Sequence, residues 1–204
     1  MALGDRFPEV LEAAQQGAAW ALADIYRDLH PAVVAFCRVR AGQDAEDLAA
    51  DVFLAAAQGI RRFVGDEPSF RSWLFTIAYR TTQRHWQRTR RSTPVDPASA
   101  LWERSVGDAE AEALHDLGTA AALGLIRQLP DAQAEVVALR IVADLPVEEV
   151  SRIVGRRPGA VRALQLRALR RLARELPPEE GRNAGGGLPH SHGDDPAPDR
   201  PRRS

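Results

Sequence analysis

Residues 145–173 read LPVEEVSRIVGRRPGAVRALQLRALRRLA, and the fold turns on them. Val150, Ile153 and Val154 fall on one face of a short helix over 147–154. Gly155 supplies a tight turn, and Pro158 suits the first turn of a second helix. That second helix buries Val161, Leu164 or Leu166, Ala168, Leu169 and Leu172. Two helices joined by a glycine-bearing turn, the second rich in arginine, describe a helix-turn-helix. A plain helical hairpin has the same hydrophobic pattern, so the placement of charge has to separate the two. Arg156 and Arg157 stand at the second helix's N-terminus, where the dipole favours phosphate. Arg162 and Arg167 share an exposed side further along. Arginine neutralises phosphate and reads guanine bidentately, so these residues suit both positioning on duplex DNA and sequence readout.

The rest of the chain is consistent with an all-helical protein. Alanine, the best helix former, occurs 35 times in 204 residues, and all 27 basic residues are arginine. Hydrophobic residues make up 45% and charged residues 27%, a globular balance that excludes wholesale disorder and collagen-like structure. The single cysteine, Cys37, has no internal disulfide partner, which fits a reducing cytoplasm. No apolar run approaches the ~20 residues of a membrane span. MALGDRFPEV lacks the basic start and apolar block of a secretory signal, so a cytoplasmic location is expected.

A net charge of −1 conceals an alternation. Residues 1–60 carry nine acids and four arginines, whereas 61–91 carry eight arginines against Asp66 and Glu67. Residues 92–151 are acidic again, with eleven acids and three arginines; 152–174 hold eight arginines and no acid. One basic block is commonly a solvated face. Two, each on an expected helix, point to a polyanion touched at two places.

Proline, glycine and turn residues divide the chain. A first helix is expected over 7–15, stopping at Gly17. A second starts near Ala18 with Trp20, Leu22, Ile25, Tyr26 and Leu29 as its stripe; Pro31 interrupts it, and 32–40 continues as a separate or kinked segment. Asp44 is the expected N-cap of a helix to 58 ending at Gly59. Residues 64–68 read as a loop, and Ser69 as the cap of a long helix over 70–91. A proline-bearing acidic stretch follows, then a second helical unit with a break at Pro130 and a helix over 132–143. The domain reading is therefore 1–95, a linker at 96–116, a helix-turn-helix unit at 117–177 and a tail at 178–204. That tail is too poor in hydrophobes to offset chain entropy and is expected to be disordered.

The helix SFRSWLFTIAYRTTQRHWQRTRR (69–91) divides its labour. Phe70, Trp73, Leu74, Ile77 and Ala78 form a core-facing stripe. Arg80, Arg84 and Arg88 recur every fourth residue as a basic ridge about 12 Å long. Six of the chain's twelve aromatics lie between Phe63 and Trp86. Trp73 reads as core, and Phe63, Tyr79 and Trp86 as candidates for contact with bases. Stacking a base on an aromatic ring contributes ~1–3 kcal/mol, comparable to the cost of unstacking it, so such a helix can hold open single-stranded DNA. The preceding helix, DAEDLAADVFLAAAQ (44–58), differs in character. Asp44, Asp47 and Asp51 share one side with Leu48, Val52 and Ala55 adjoining. The helix dipole explains carboxylates in a first turn but not Asp51. An acidic, apolar face is suited to protein docking and unsuited to DNA.

DAEDLAADVFLAA, SFRSWLFTIAYR and the run from Leu129 to Leu172 together resemble the sigma factors of bacterial RNA polymerase, in particular the small extracytoplasmic-function group. The likeness covers roughly 10–95 and 117–176, in the right order. It implies a transcription initiation factor of two helical DNA-binding domains, with no cofactor or metal and no catalytic residues. The helix of Asp44, Asp47, Leu48, Asp51 and Phe53 would dock on the clamp helices of the core polymerase's largest subunit. The loop from Phe63 to Ser69, with Tyr79, Arg80, Arg84, Trp86 and Arg88, would capture and melt the −10 element. Arg156, Arg157, Arg162, Gln165 and Arg167 would face the −35 element of promoter DNA, and the acidic linker would thread toward the RNA exit path. An anti-sigma factor is an implied partner. The chain departs from the family pattern in two places. Arg80 stands where asparagine is frequent. Val161-Arg162-Ala163-Leu164 replaces a run of valine, a basic residue, serine and arginine, with Gln165 available in place of one lost polar group.

Two other classes compete. A stand-alone helix-turn-helix regulator would bind duplex DNA unaided and would have no use for the acidic docking helix. For an enzyme, His30, His85 and His115 are scattered, Cys37 sits in a core-type helix, and no phosphate loop, nucleophile elbow or carboxylate pair appears. His190, Ser191, His192, Asp194 and Asp195 are potential metal donors, but two histidines in a flexible tail do not ordinarily hold an ion.

Overall fold

The computed structural model describes residues 3–92 and 112–175, all helix and short turns with no strand among them. The helices are α1 (Phe7–Gln15), α2 (Ala19–Ala41), α3 (Ala45–Gly59), α4 (Glu67–Ser92), α5 (Glu112–Arg127), α6 (Asp131–Val137), α7 (Val147–Val154) and α8 (Pro158–Glu175). The first four form one bundle, with α2 packed against α1, α3 and α4. The last four form a second, in which α6 and α7 both rest on α8. Residues 93–111, and the tail with its histidines and aspartates, lie outside the described residues; the last five positions of the expected linker, 112–116, belong to α5.

The first bundle is held by aliphatic and aromatic side chains excluded from water: Val10, Leu29, Val33, Phe36, Val52, Phe70, Leu74 and Phe75. Phe36 meets Phe75 edge-on at 5.7 Å, and Phe70 sits 5.6 Å from Phe7 and 5.3 Å from Trp73, geometries that add to area burial. Gly59 is required where α3 ends, because a Cβ there would stand 2.8 Å from the Trp73 ring. The second bundle buries Val136, Val137, Leu139, Leu145, Val150 and Val161.

Several expectations need correction. Pro31 does not end a helix: α2 runs through it for 23 residues. Pro31 is exposed, so the carbonyl it deprives of a partner faces water, while Ile25, Leu29, Val33 and Phe36 bury one continuous stripe on the other side. Trp20 and Tyr26 are not part of that stripe; they are 47% and 45% exposed. The long helix begins at Glu67 rather than after Ser69, since the Asp66 carboxylate accepts the Ser69 backbone N–H at 2.9 Å and caps the first turn. Pro68 fits within that turn because its missing N–H has no intrahelical partner there. After Val137, α6 widens into a π turn, Ala138–Val142.

The two bundles touch. Arg40 at the end of α2 pairs with Glu135 of α6, both side chains being at most a tenth exposed. Gln83 of α4 donates to the same carboxylate at 2.7 Å, and Arg71 donates to the Ala143 carbonyl at 2.6 Å. The Arg40 guanidinium in turn lies over the Trp86 ring, 5.0 Å from its centre.

Candidate nucleic-acid and docking interface

The α4 helix turns two faces outward from its buried stripe. Arg80, Arg84 and Arg88 are all exposed and follow one another along the solvent side, as their spacing requires. Arg80 and Arg84 enter no ion pair among the described residues, leaving both guanidinia available to an external anion. Tyr79, Gln83 and Trp86 turn the other way, toward the second bundle. Burial pushes the Tyr79 phenol above its usual range; the Glu135 charge adds to this, and Gln83, Arg40 and Arg156 oppose it. Phe63 is likewise half-buried, edge-on to Phe70 at 5.1 Å and 5.3 Å from Trp73. The three aromatics singled out as base contacts are therefore each half-buried against other side chains, and the arginines form the more open surface.

Beside Phe63, the loop and the start of α4 enclose an open pocket of about 490 Å³. Gly65, Asp66, Glu67 and Pro68 form one wall, Phe7, Pro8 and Leu11 of α1 the other, with Gln15 at its end. Gln15 fixes the loop by donating to the carbonyls of Ile60 (3.2 Å) and Phe63 (2.8 Å). The two adjacent carboxylates are driven apart. Hydrogen bonds from Ser69 hold Asp66 below the usual range, while burial and the Asp28 charge raise Glu67. Apolar side chains with the carboxylates of Asp5, Glu12, Asp66 and Glu67 around them suit a neutral base bearing an amino group and repel phosphate.

The α3 helix supplies the neighbouring face. Asp47 and Asp51 are exposed, with Leu54 beside them at 61%. Asp44 is also exposed, at the N-cap position, but its carboxylate pairs with His85 at 3.2 Å rather than capping α3. Leu48 is buried and supports the helix from beneath. Phe53 is half-covered by Tyr26, 4.7 Å away, and His30 lies beyond. The exposed acidic face is thus Asp47, Asp51 and Leu54, with Phe53 and Tyr26 forming an adjoining aromatic patch where α3 meets α2. Periodicity alone did not disclose Leu54 or Tyr26, although Leu54 lies three residues after Asp51 on the same side. Between α3 and α4 runs a groove of about 470 Å³, bordered by Asp51, Leu54 and Gln58 on one bank and Thr81, Arg84 and Arg88 on the other. The acidic face and the basic ridge meet along it.

In the second bundle, Gly155 closes α7 in the left-handed conformation (φ +67°), and the Arg156 N–H caps the Ser151 carbonyl at 3.1 Å. Arg156, Arg157, Arg162 and Arg167 are exposed. Arg162 pairs with Glu148 of α7 at 3.1 Å. Gln165 faces inward, half-buried, accepting from Arg140 Nε at 3.3 Å while Arg140 also holds the Leu145 carbonyl. It braces the scaffold under α8. No cluster of three potential metal ligands occurs among the described residues, and no helix there is long and apolar enough to cross a membrane.

Comparison with known proteins bears on the same segments. Residues 25–92 match the family described as sigma-70 region 2, and 120–180 the family described as sigma-70 region 4. The chain is 35% identical over 175 residues to the ECF RNA polymerase sigma factor BldN of Streptomyces coelicolor, covering 84% of this chain and 66% of BldN. It is 32% identical over 181 residues to the ECF RNA polymerase sigma factor SigD of Mycobacterium tuberculosis, covering 85% of each. The solved structure of CnrH in complex with the cytosolic domain of CnrY is similar in fold, with a TM-score of 0.59 at 20% identity, across 84% of this chain and 97% of that one.

Proposed function

The chain belongs to the extracytoplasmic-function sigma factors of the sigma-70 family, and on that premise we propose how its surfaces divide the task of promoter-specific initiation. The protein binds core RNA polymerase, recognises the −35 and −10 elements and assists strand opening. The region-2 bundle (1–95) docks on the polymerase clamp through Asp47, Asp51, Phe53, Leu54 and Tyr26. It engages the −10 strand through Arg80, Arg84 and Arg88, with an unstacked base received between α1 and the loop at 65–68. The region-4 bundle (117–177) sets α8 in the −35 major groove, anchored by Arg156, Arg157, Arg162 and Arg167. Residues 96–116 connect the two along the polymerase, and a protein inhibitor of the anti-sigma kind regulates the whole.

The observation that carries this reading is the shared α3/α4 groove. An acidic, leucine-bearing bank and an arginine bank face each other on one rigid bundle. A regulator that acts on duplex DNA alone has no use for the acidic bank, because carboxylates beside a phosphate ridge reduce its attraction. An initiation factor needs both, so that the machine and the opened strand are gripped side by side. The test is run-off transcription with purified core polymerase over a library of promoter sequences. Promoter-selective transcripts are expected, lost on the double substitution Asp47→Arg and Asp51→Arg together with co-elution with core. Retained co-elution in that variant, or promoter binding that needs no core, overturns the proposal.

A further inference from the structure

Along α8 the buried side is Val161, Leu164 and Ala168. At about 100° per residue, Ala163 and Leu166 lie on the opposite side, stacked one turn apart with Gly159 before them and Arg170 after. Ala163 is exposed and Leu166 is 49% exposed. A single exposed leucine is ordinary. This one is not in ordinary company: Arg162 and Arg170 stand one turn before and after it on the same side, Arg167 follows it, and residues 152–174 contain no acid. A protein partner covering Leu166 would have to bury or neutralise those guanidinia as well. Duplex DNA takes both kinds of group at once, with phosphates along the groove walls for the arginines and base edges on the floor for what lies between them. On that floor one base edge alone carries an apolar group, the C5-methyl of thymine. Leu166 is about 12 Å along α8 from Pro158, within the length of helix that a major groove accepts. The Glu148–Arg162 pair holds the nearest guanidinium to one side, leaving the Ala163–Leu166 strip open.

We infer that Ala163 and Leu166 form a methyl-reading strip that selects thymine at one or two positions of the −35 element. This rests on the reading of α8 as the −35 helix and gives that helix a specificity that does not depend on polar contacts. The two polar groups missing at 163 and 164 are then replaced by apolar readout, not merely absent.

The test uses the full chain with core polymerase on a promoter selected from the library. Each −35 thymine is replaced singly by deoxyuridine, which removes the methyl and keeps every hydrogen-bonding group. Wild-type holoenzyme should bind about fourfold more weakly at the sensitive positions, the value of one buried methyl. Leu166→Ala should lose most of the thymine preference at one sensitive position and keep any preference that Ala163 supplies at the other; alanine at an exposed helical site preserves the fold. Arg162→Ala should weaken both templates while keeping their ratio. If deoxyuridine equals thymine everywhere although scrambling the −35 element still abolishes binding, the methyl strip is wrong and the −35 helix stands. If scrambling has no effect, the assignment of α8 itself fails and the inference with it.

Discussion

Arg84 and Trp86 stand two positions apart on α4 and serve different ends. Arg84 borders the α3/α4 groove with its guanidinium exposed. Arg84→Ala should reduce transcription from a duplex promoter far more than from a pre-melted one, with unfolding shifted by no more than about 0.5 kcal/mol, as for surface substitutions generally. Equal loss on both templates would deny it a part in melting. Trp86 is held against Arg40, so Trp86→Ala should instead lower the melting temperature and loosen the contact between bundles. The sequence gives the two residues the same appearance, an arginine and an aromatic in one basic run, because the partner of Trp86 lies far away along the chain. The same limit applies to Tyr79, turned toward Glu135, and to Gln165, turned toward Arg140. What spacing could disclose was the ridge of Arg80, Arg84 and Arg88, since helical periodicity alone determines it. Cys37 provides a pH test. Burial, with Glu46 nearby, pushes its thiol up to about 12 from 9.0. The folded chain therefore holds this proton more tightly than the unfolded one. The associated stability is complete below pH 9 and is lost as pH climbs toward 12. A thiol reagent at pH 8 should label Cys37 only after denaturant is added; rapid labelling of the native chain would contradict its place in the core.

At the scale of elements, α1 and α7 have the bounds that their glycines and hydrophobic stripes announce, and Gly155 closes α7 as its turn requires. The errors arise where tertiary burial outweighs a local signal. Pro31 carries the strongest local helix-breaking signal, yet α2 continues through it because Ile25 and Leu29 before it and Val33 and Phe36 after it are buried in one core. The proline still has a cost. A helical-interior proline is about 3 kcal/mol less favourable than alanine, part of which its stiffening of the unfolded chain returns. Pro31→Ala should therefore raise stability by about 2 kcal/mol, measured by urea titration at unchanged slope, with docking on core polymerase unaltered. No change in midpoint would mean that α2 is kinked or frayed at this point in solution. The start of α4 teaches a complementary lesson. Asp66 and Ser69 are both good caps, and sequence does not rank them; the carboxylate reaches the Ser69 N–H and so adds nearly a full turn to the helix, bringing Glu67 and Pro68 into the pocket wall.

For the whole molecule, geometry sets a condition that neither bundle shows alone. The −35 and −10 elements lie about 25 base pairs apart, or about 85 Å at 3.4 Å per pair. In the structure the two readers adjoin, with Arg156 close enough for its charge to act on Tyr79 and with Arg40 and Glu135 buried against each other between the bundles. Both elements cannot be occupied in that arrangement. The 19 residues from 93 to 111 span at most about 65 Å when extended, enough with the bundles' own dimensions to reach. Promoter recognition therefore requires the Arg40–Glu135–Gln83 contact to part. Its strength depends on pairing: a buried ion pair contributes little net stability, whereas removing one partner costs about 3–5 kcal/mol because the other charge is left uncompensated. Glu135→Gln should accordingly weaken the contact without touching any docking or DNA residue. Solution scattering should then give a larger radius of gyration for the free chain than for wild type, and association with core polymerase should be faster because less opening remains to be done. A radius and an association rate both equal to wild type would mean that the two bundles are already apart in the free protein and that the pair exerts no hold on initiation.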